Sequence, residues 1–373
     1  MTRHHPNPVI DVAELRTMLE AYEPVTVLDI RTMEDRAEWA IPGSLHIDAY
    51  EALKAGDPGA LADAAIPRDR PVVTVCAAGK TSLTAMEQLR ARGYDVRSLS
   101  GGMKAWSLAW NSADVPVSAS AATIIQVRRT GKGCLSYLIG NGGAAAVIDA
   151  ALPPAVYQDL AREHGWSITR VLDTHVHADH LSRSRSLAEA AGATLHVPAQ
   201  DRVSYPFTPI QDGETLAIGS LRLVAMRTPG HTLESTSYLL DDRVLFTGDT
   251  LFLAGVGRPD LEASAEETRA RARLLHASLA RLTALPAETV ILPGHTSQPV
   301  PFDERSISAT LAEVIDRARM LGMGEDAFVA ALLARIPPTP PNHAQIVRLN
   351  EAGDLPEGDP TDLEAGANRC AVS

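Results

Sequence analysis

The stretch THVHADHLS, residues 174–182, places three histidines and an aspartate within six positions, directly after an apolar run that predicts a strand. Strand ends are where α/β proteins carry their chemistry. His175 and His177 lie two residues apart, so a bent loop can direct both imidazoles to one point, and Asp179 and His180 open the next predicted helix. The cluster is typical of a metal site. The alternative is a polar loop that is rich in histidine.

Three later strand ends carry further donor side chains, each beside a glycine. His231 stands in TPGHT, Asp249 in TGDT and His295 in LPGHT, each after an apolar run. Four strand ends of this kind are hard to explain as solvated loops, and we therefore predict a metal centre. These nitrogen and oxygen donors suit zinc, iron or manganese and do not distinguish among the three metals.

The four motifs T-H-x-H-x-D-H, P-G-H-T, T-G-D and P-G-H occur in this order over about residues 122–300. Together they resemble the metallo-β-lactamase superfamily. The resemblance implies an αββα sandwich with the metal at the strand ends and, in most members, a two-zinc hydrolase. The fold alone does not fix the reaction.

The segment GVGRPD, residues 255–260, follows the T-G-D motif and narrows the resemblance. It is similar to persulfide dioxygenases, whose usual form G-C-G-R-T-D differs at Val256 and Pro259. The segments TGKGCLSYLIG and PPNHAQIVRLNEAG also resemble that group, whereas its frequent H-D-Y reads His295-Thr296-Ser297 here. The resemblance implies one ferrous iron, with zinc as the alternative metal, on the three ligands His175, His231 and Asp249.

The other donors of the motifs are all retained, which leaves a second metal or a supporting role open. They are His177, Asp179, His180 and His295. Arg258 could hold a substrate carboxylate or phosphate by bidentate contact, with Asp260 beside it. The alternative for this pair is a surface ion pair between the two.

A second cluster lies in the first part of the chain, where VVTVCAAGKTSL places Cys76 between a predicted strand and a predicted helix. Backbone N–H groups of such a loop and the helix N-terminus stabilise a thiolate. Cysteine phosphatases carry an arginine six residues after the cysteine, but Ser82 stands there. Together with VLDIRTMEDRAEWAIPGSLHI and GGMKAWSLAW, the loop resembles a rhodanese over about residues 8–117. Cys76 would carry the persulfide, in a loop formed by Ala77, Ala78, Gly79, Lys80 and Thr81.

The chain has 373 residues, which predicts two domains. We predict an α/β protein with a rhodanese-like parallel sheet and flanking helices in 1–118, then the αββα sandwich in 119–335. Residues 111–123 are small and polar and predict the linker. The extension 336–373 is acidic and rich in Gly and Pro near its end, and we expect it to be partly disordered.

The composition excludes several classes of partner. The net charge of −12 disfavours nucleic acid and anionic membranes. No apolar run reaches membrane-spanning length, and the N-terminal residues lack the apolar core of a signal peptide. The three cysteines are far apart, which fits a reducing cytoplasm, and we expect Cys134 and Cys370 to have no catalytic role.

The two resemblances lead to one functional hypothesis, a bifunctional enzyme of sulfide detoxification. The second domain would oxidise a low-molecular-weight thiol persulfide with O₂ to sulfite and thiol, and Cys76 would move sulfur between persulfide, sulfite and thiosulfate. The resembled family is usually dimeric, so a homodimer is expected. The alternative is a two-zinc thioester hydrolase resembling glyoxalase II, in which the first domain is a sulfur carrier.

Overall fold

The computed structural model describes residues 7–118, 120–366 and 368–372, and the first six residues, where we expect no signal peptide, lie outside this part. The N-terminal domain is a parallel sheet between helices. Its strands are β1 (Val9–Ile10), β2 (Thr26–Asp29), β3 (Leu45–His46), β4 (Val72–Val75) and β5 (Val96–Leu99). Its helices are α1 (Val12–Glu20), α2 (Met33–Glu38), α3 (Tyr50–Lys54), α4 (Thr81–Ala91) and α5 (Gly102–Trp106).

The order of this sheet is β1-β5-β4-β2-β3, and all its pairings are parallel. Parallel strands need cover on both faces, which is why they are rich in apolar residues. The four residues of β4 are all buried, and separate apolar clusters lie on the two faces of the sheet. The predicted rhodanese-like architecture is confirmed.

The second domain contains two packed sheets. The first sheet has the order β12-β11-β10-β9-β8-β7-β6. Its strands are β6 (Asn111–Asp114), β7 (Thr123–Arg128), β8 (Leu135–Asn141), β9 (Ala144–Ile148), β10 (Ser167–Leu172), β11 (Thr194–Pro198) and β12 (Thr208–Ile210). Its outer face is covered by α6 (Pro154–Glu163) and α7 (Ser184–Ala191).

The second sheet has the order β13-β14-β15-β16-β18-β19. Its strands are β13 (Thr215–Ile218), β14 (Leu221–Arg227), β15 (Thr236–Leu240), β16 (Val244–Gly248), β18 (Val290–Pro293) and β19 (Ala309–Thr310). The short β17 (Val256–Gly257) lies outside this sheet. Its outer face packs against α8 (Ala265–Thr283), α9 (Leu311–Arg317) and α10 (Glu325–Leu333). The chain then forms α11 (His343–Ala352), α12 (Thr361–Glu364) and β20 (Ala371–Val372).

One apolar core lies between the two sheets and contains Tyr137 and Phe246, whose rings meet edge to face at 5.0 Å. Helices cover both outer faces, so the layers run helix, sheet, sheet, helix. This confirms the predicted αββα sandwich.

The predicted linker is wrong in its first part. Residues Asn111–Asp114 form β6, which pairs antiparallel with β7, so that Asn111 lies opposite Arg128. The sheet of the second domain therefore begins before the expected boundary at 118. The sequence NSAD gave no sign of this because its strand is only four residues long and alternates buried and exposed positions at the sheet edge.

The expectation of a partly disordered extension is also wrong for the described residues. Besides α11 and α12, the C-terminal residues form β20, which pairs antiparallel with β17. Glu364 is fully buried between Arg129 and Arg183. Composition alone could not predict this, because the acidic and glycine-rich segment gains its order from contacts with distant parts of the chain.

The two domains contact each other through hydrogen bonds to backbone carbonyls. Trp39 Nε1 donates to Thr130 O at 3.0 Å, and Arg129 Nε donates to Ser107 O at 2.7 Å. Within residues 7–118, 120–366 and 368–372, we find no helix with the length and apolar character needed to cross a membrane.

Candidate functional site

The three side chains predicted to hold the metal meet at the strand ends of the sandwich. His175 follows β10, His231 follows β14 and Asp249 follows β16, and all three are buried. One donor atom from each lies within 4.8 Å of the others. Nε2 of His175 and Nε2 of His231 lie 3.8 and 3.7 Å from Oδ2 of Asp249.

Each of the two histidines is oriented through its other ring nitrogen. Asp149 accepts hydrogen bonds from N and Oγ1 of Thr174, and that hydroxyl lies 2.8 Å from Nδ1 of His175. Nδ1 of His231 donates to the carbonyl oxygen of Arg258 at 2.7 Å. Such contacts fix the ring and direct Nε2 to the metal side, as is usual for metal-binding histidines.

The atoms that face the centre fit a metal ion. Nε2 of His175 and Oδ2 of Asp249 are buried without a hydrogen-bond partner. Their spacing is too long for a hydrogen bond, and it suits two ligands at about 2.0–2.2 Å from one ion. Burial and neighbouring His177 lower the pKa of His175, and burial lowers the pKa of His231. Both imidazoles are therefore neutral, which is the form that binds metals.

A second donor cluster adjoins the first and consists of Cys134, Asp179, His180 and His295. These side chains satisfy one another in part, and Nε2 of His180 and Nε2 of His295 are buried without a hydrogen bond. Nδ1 of His180 lies 3.0 Å from Oδ1 of Asp179, and Sγ of Cys134 lies 3.6 Å from its Oδ2. His295 bridges Asp179 and Asp249 at 2.8 and 2.5 Å.

The charges of this second cluster differ from those of the first. Burial opposes protonation of His180 and His295, but the carboxylates outweigh it and raise the pKa of both, to about 10 for His180. Burial also raises the pKa of Asp249, but His295 and His175 outweigh it and lower that pKa below its usual range. The second cluster thus contains ion pairs around Asp179, whereas the first presents two neutral imidazoles and the Asp249 carboxylate.

His177 differs from the other predicted donors in the groups that it contacts. Its Nε2 lies 3.3 Å from Oδ1 of Asp149, and its Nδ1 is buried without a hydrogen-bond partner. Its ring centroid lies 4.2 Å from that of His175. His177 therefore lines the same centre while it contacts the aspartate that holds the histidine loop.

Of the two roles considered for Arg258 and Asp260, the structure shows the ion pair, in a buried position, and not a substrate clamp. The Arg258 side chain is fully buried, and its Nε and Nη2 each donate to the Asp260 carboxylate at 2.8 Å. Nη1 donates to the carbonyl oxygens of Pro338 and Arg369. The guanidinium thus fixes the C-terminal part of the chain. Arg258 contacts the metal centre through its backbone carbonyl oxygen, which accepts the hydrogen bond from His231.

The sequence analysis expected no catalytic role for Cys134 and Cys370, but the structure places both among the donor groups at the centre. Cys134 belongs to the second cluster, and Cys370 has Sγ within 4.8 Å of donor atoms of Asp249 and His295. Burial, with the nearby carboxylates, raises the pKa of the Cys370 thiol. Asn368 was also missed, and its Nδ2 donates to Oδ2 of Asp179 at 2.9 Å. No local pattern marks Asn368 or Cys370, because only the tertiary fold brings them to the centre.

In the first domain, Cys76 lies at the end of β4, ahead of α4, as predicted. Its Sγ lies 3.3 Å from Oγ of Ser82, which also accepts from Oγ of Ser98 at 2.9 Å. The backbones of Cys76 and Gly102 lie close together, since a Cβ on Gly102 would lie 2.2 Å from Cys76 O.

The loop that follows Cys76 opens on a cavity between the two domains. Ala77, Ala78 and Lys80 are exposed, while Gly79 and Thr81 are half-buried. A cavity of about 340 Å³ is lined by Ala77 and Ala78 together with Lys104, Thr361, Asp362, Ala365 and Gly366. The loop is therefore open to a small molecule.

Comparison with known families matches both parts of the chain. Residues 129–295 match the metallo-beta-lactamase superfamily, and residues 11–109 match the rhodanese-like domain. The chain belongs to the metallo-beta-lactamase superfamily and carries a rhodanese-like domain on its N-terminal side.

Among curated proteins, the chain is similar to hydroxyacylglutathione hydrolases. A hydroxyacylglutathione hydrolase of Methylobacterium sp. (strain 4-46) is 37% identical over 41% of this chain, and that of Methylococcus capsulatus is 38% identical over 42%. The chain spans only 58% of the length of these curated relatives.

Among solved structures, ETHE1 from Myxococcus xanthus is similar at 31% identity and a TM-score of 0.54, over 62% of this chain and 98% of that one. A metallo-beta-lactamase from Staphylococcus aureus subsp. aureus COL is similar at 28% identity and a TM-score of 0.58, over 63% and 74%.

Proposed function

We propose that the second domain is a persulfide dioxygenase with one ferrous iron on His175, His231 and Asp249. The observation that carries this is the contrast between the two donor clusters. In the first, Nε2 of His175 and Oδ2 of Asp249 are buried without a partner around one point. In the second, the Asp179 carboxylate already contacts His180 and His295, although Nε2 of His180 has no hydrogen-bond partner. Two histidines and one carboxylate suit ferrous iron with open positions for substrate and O₂.

The metal would supply the electrons that activate O₂, and the protein residues would position and shield the reaction. Asp149, through Thr174, keeps Nε2 of His175 directed at the centre, and the Arg258 carbonyl does the same for His231. The balanced reaction is thiol persulfide plus O₂ and water to thiol, sulfite and two protons. Burial of all three ligands limits access of bulk water to the centre.

A cavity of about 210 Å³ offers a place for the thiol. Its lining includes Phe252, Leu253, Ser297, Gln298 and His295. A small thiol with apolar and amide parts would find both kinds of partner there.

We further propose that Cys76 carries sulfane sulfur in the first domain. The thiol lies at a strand end beside the Ser82 hydroxyl, ahead of an eleven-residue helix, and its loop opens on a cavity. Sulfite or a small thiol would take the outer sulfur as thiosulfate or thiol persulfide and leave the Cys76 thiolate. The three cysteines are free, which suits a reducing compartment such as the cytoplasm.

The second candidate is a two-zinc thioester hydrolase. It is favoured by the likeness to hydroxyacylglutathione hydrolases and by the retention of Asp179, His180 and His295. The ion pairs within those residues, and the Cys134 thiol among them, speak against a second metal with an open water position.

Metal loading distinguishes the iron persulfide dioxygenase from the two-zinc thioester hydrolase. The metal-free protein should be loaded with ferrous iron or with zinc, and each form assayed with glutathione persulfide and with a glutathione thioester. We expect about one iron per chain and sulfite formation in the iron form alone. Two zinc ions per chain, with rapid thioester hydrolysis and no sulfite from the iron form, would establish the hydrolase instead.

A further inference from the structure

Two cavities adjoin at the interface between the two domains. The larger, of about 340 Å³, is lined by Ala77 and Ala78, which directly follow Cys76 in the loop of the first domain. The smaller, of about 50 Å³, is lined by Asp179 of the second donor cluster. The two cavities, here together called the interdomain passage, share three lining residues, Glu38, Ala365 and Gly366.

One end of the passage lies next to the metal centre. Asp179 lies 2.8 Å from His295, and His295 lies 2.5 Å from Asp249, a proposed metal ligand. The cavity of about 210 Å³ on the other side of this cluster is lined by His295 and by residues of the second domain. The centre is therefore flanked by one cavity that belongs to its own domain and by another that leads to the Cys76 loop.

The smaller cavity limits what can move along the passage. A volume of about 50 Å³ holds a few water molecules or a small oxyanion, whereas pockets for drug-sized ligands have roughly 300 Å³ or more. A thiol persulfide as large as a tripeptide does not fit. Of the sulfur compounds in the proposed reactions, only small inorganic ions suit the passage.

A buried cation lies in this smaller cavity. Lys132 is only 4% exposed and lines the cavity together with Asp179. Among the residues that the structure describes, the Lys132 ammonium group has no carboxylate partner and no hydrogen bond, while Asp179 already contacts His180, His295 and Asn368. A buried charge without a partner is unfavourable, so this position suits a small anion.

The turn that carries Lys132 is fixed by the first domain. Trp39 Nε1 donates to Thr130 O at 3.0 Å. A Cβ on Gly131 would lie 1.8 Å from Trp106 O, so only glycine allows this close approach. The position of the Lys132 ammonium group therefore depends on the contact between the two domains.

The other charges along the passage are paired or exposed. Glu38 binds Arg369 at 2.7 Å, and Asp362 binds Lys104 at 2.5 Å. Asp35 is exposed to solvent. Among the described residues, the buried charge that lacks a partner in the passage is thus a positive one.

We propose that Lys132 binds sulfite, and that sulfite formed at the metal centre moves along the interdomain passage to the Cys76 loop. This rests on the function proposed above for both domains. The persulfide enters from the 210 Å³ cavity and the sulfite leaves on the opposite side, past Lys132.

At the Cys76 loop the sulfite accepts a sulfane sulfur. Thiosulfate first transfers its outer sulfur to the Cys76 thiolate, and its sulfite leaves with the electron pair of the broken S–S bond. The lone pair of the arriving sulfite then attacks the outer sulfur of the Cys76 persulfide. That S–S bond breaks, its electron pair returns to the Cys76 thiolate, and thiosulfate forms. The exchange needs no oxidant or reductant.

Calorimetric titration of the metal-free full chain with sulfite tests the site without reference to activity. The variants are Lys132→Met and the control Lys54→Met, because Lys54 is exposed and lines neither cavity. We expect equal affinity in the wild type and Lys54→Met, and an affinity about tenfold lower or weaker still in Lys132→Met. A wild type that binds no sulfite, or equal binding in Lys132→Met, would overturn the proposal.

Isotope exchange tests the passage. The ferrous-loaded chain receives unlabelled thiosulfate and glutathione persulfide whose outer sulfur is ³⁴S, and the label is followed in free sulfite and in the sulfonate sulfur of thiosulfate. We expect label in thiosulfate without a lag in the wild type and in Lys54→Met. Lys132→Met, and Ala365→Phe at an exposed position of the junction, should show a lag while labelled sulfite accumulates in solution.

The possible failures are distinguishable. Labelled sulfite that reaches thiosulfate only after a lag in the wild type, or without a lag in both passage variants, would overturn the passage and leave the two activities in place. No labelled sulfite from the iron-loaded wild type would overturn the dioxygenase, and the passage with it. Labelled sulfite that never enters thiosulfate would overturn the sulfur carrier, and the passage again with it.

Discussion

The side-chain amide of Asn368 donates to Oδ2 of Asp179 at 2.9 Å, although 189 residues separate the two in sequence. Asn350 acts on the same loop, since its Nδ2 donates to the carbonyl oxygens of His177 and His180 at 2.8 Å each. The histidine loop is thus held by the C-terminal part of the chain. The metal centre belongs to the whole second domain and its extension, and not to the motif alone.

Glu364 should be one of the strongest contributors to stability. Its carboxylate is buried between Arg129 and Arg183, and Glu364→Ala would leave two buried guanidinium groups without their counter-ion. We expect a loss of about 3–5 kcal/mol in the free energy of unfolding, measured by urea denaturation. The control is Asp362→Ala, which removes an exposed partner of Lys104 and should cost about 0–1 kcal/mol. Equal effects of the two variants would refute the role of Glu364.

The same carboxylate should make stability depend on pH. Burial raises the pKa of Glu364, but Arg129 and Arg183 outweigh it and lower that pKa below its usual value. The stabilisation is therefore present above the unfolded pKa of about 4.3 and is lost as the pH falls through the lower folded value. We expect the difference in unfolding free energy between wild type and Glu364→Gln to shrink from pH 6 to pH 3. A constant difference would contradict this assignment.

Gly257 should be needed for the geometry of the centre. A Cβ at this position would lie 2.0 Å from Asp249 O and 3.0 Å from the His231 Cβ, so backbone or ligands would have to shift. We expect Gly257→Ala to lower metal affinity about tenfold or more in a competition titration. Gly322→Ala meets nothing within 4 Å and serves as the control. Unchanged affinity in Gly257→Ala would show that the centre tolerates the shift.

Cys76→Ser should abolish sulfur transfer from thiosulfate to cyanide and leave persulfide oxidation by the second domain intact. Ser82→Ala should slow the transfer more mildly, because the Cys76 thiol loses one hydrogen bond at 3.3 Å. A loss of about 1 kcal/mol corresponds to roughly fivefold in rate. Transfer activity that persists in Cys76→Ser would mean that the loop is not the sulfur carrier.

The strand-end histidines and aspartates beside glycine predicted a metal centre, and the resemblances to two families implied the two architectures. The resemblance also implied that His175, His231 and Asp249 share a metal, and their donor atoms do meet. It could not predict β6, whose edge strand is short and half-exposed. It missed Asn368 and Cys370 for a different reason, since these residues reach the centre only through the pairing of β20 with β17.

Arg258 illustrates the limit of a motif taken alone. The sequence favoured a substrate clamp and an ion pair with Asp260 about equally, and the guanidinium is in fact bound by Asp260 and two carbonyl oxygens. The exposure of a side chain decides between such roles. That exposure depends on the C-terminal extension, which packs over this arginine.

The most direct test is oxygen uptake by the ferrous-loaded full chain after addition of glutathione persulfide, with sulfite measured in parallel. We expect O₂ consumed and sulfite formed in equal amounts, and both reduced to background in His231→Ala, which removes one of the three ligands. No uptake with iron confirmed on the wild-type protein, together with thioester hydrolysis by the zinc form, would contradict the dioxygenase.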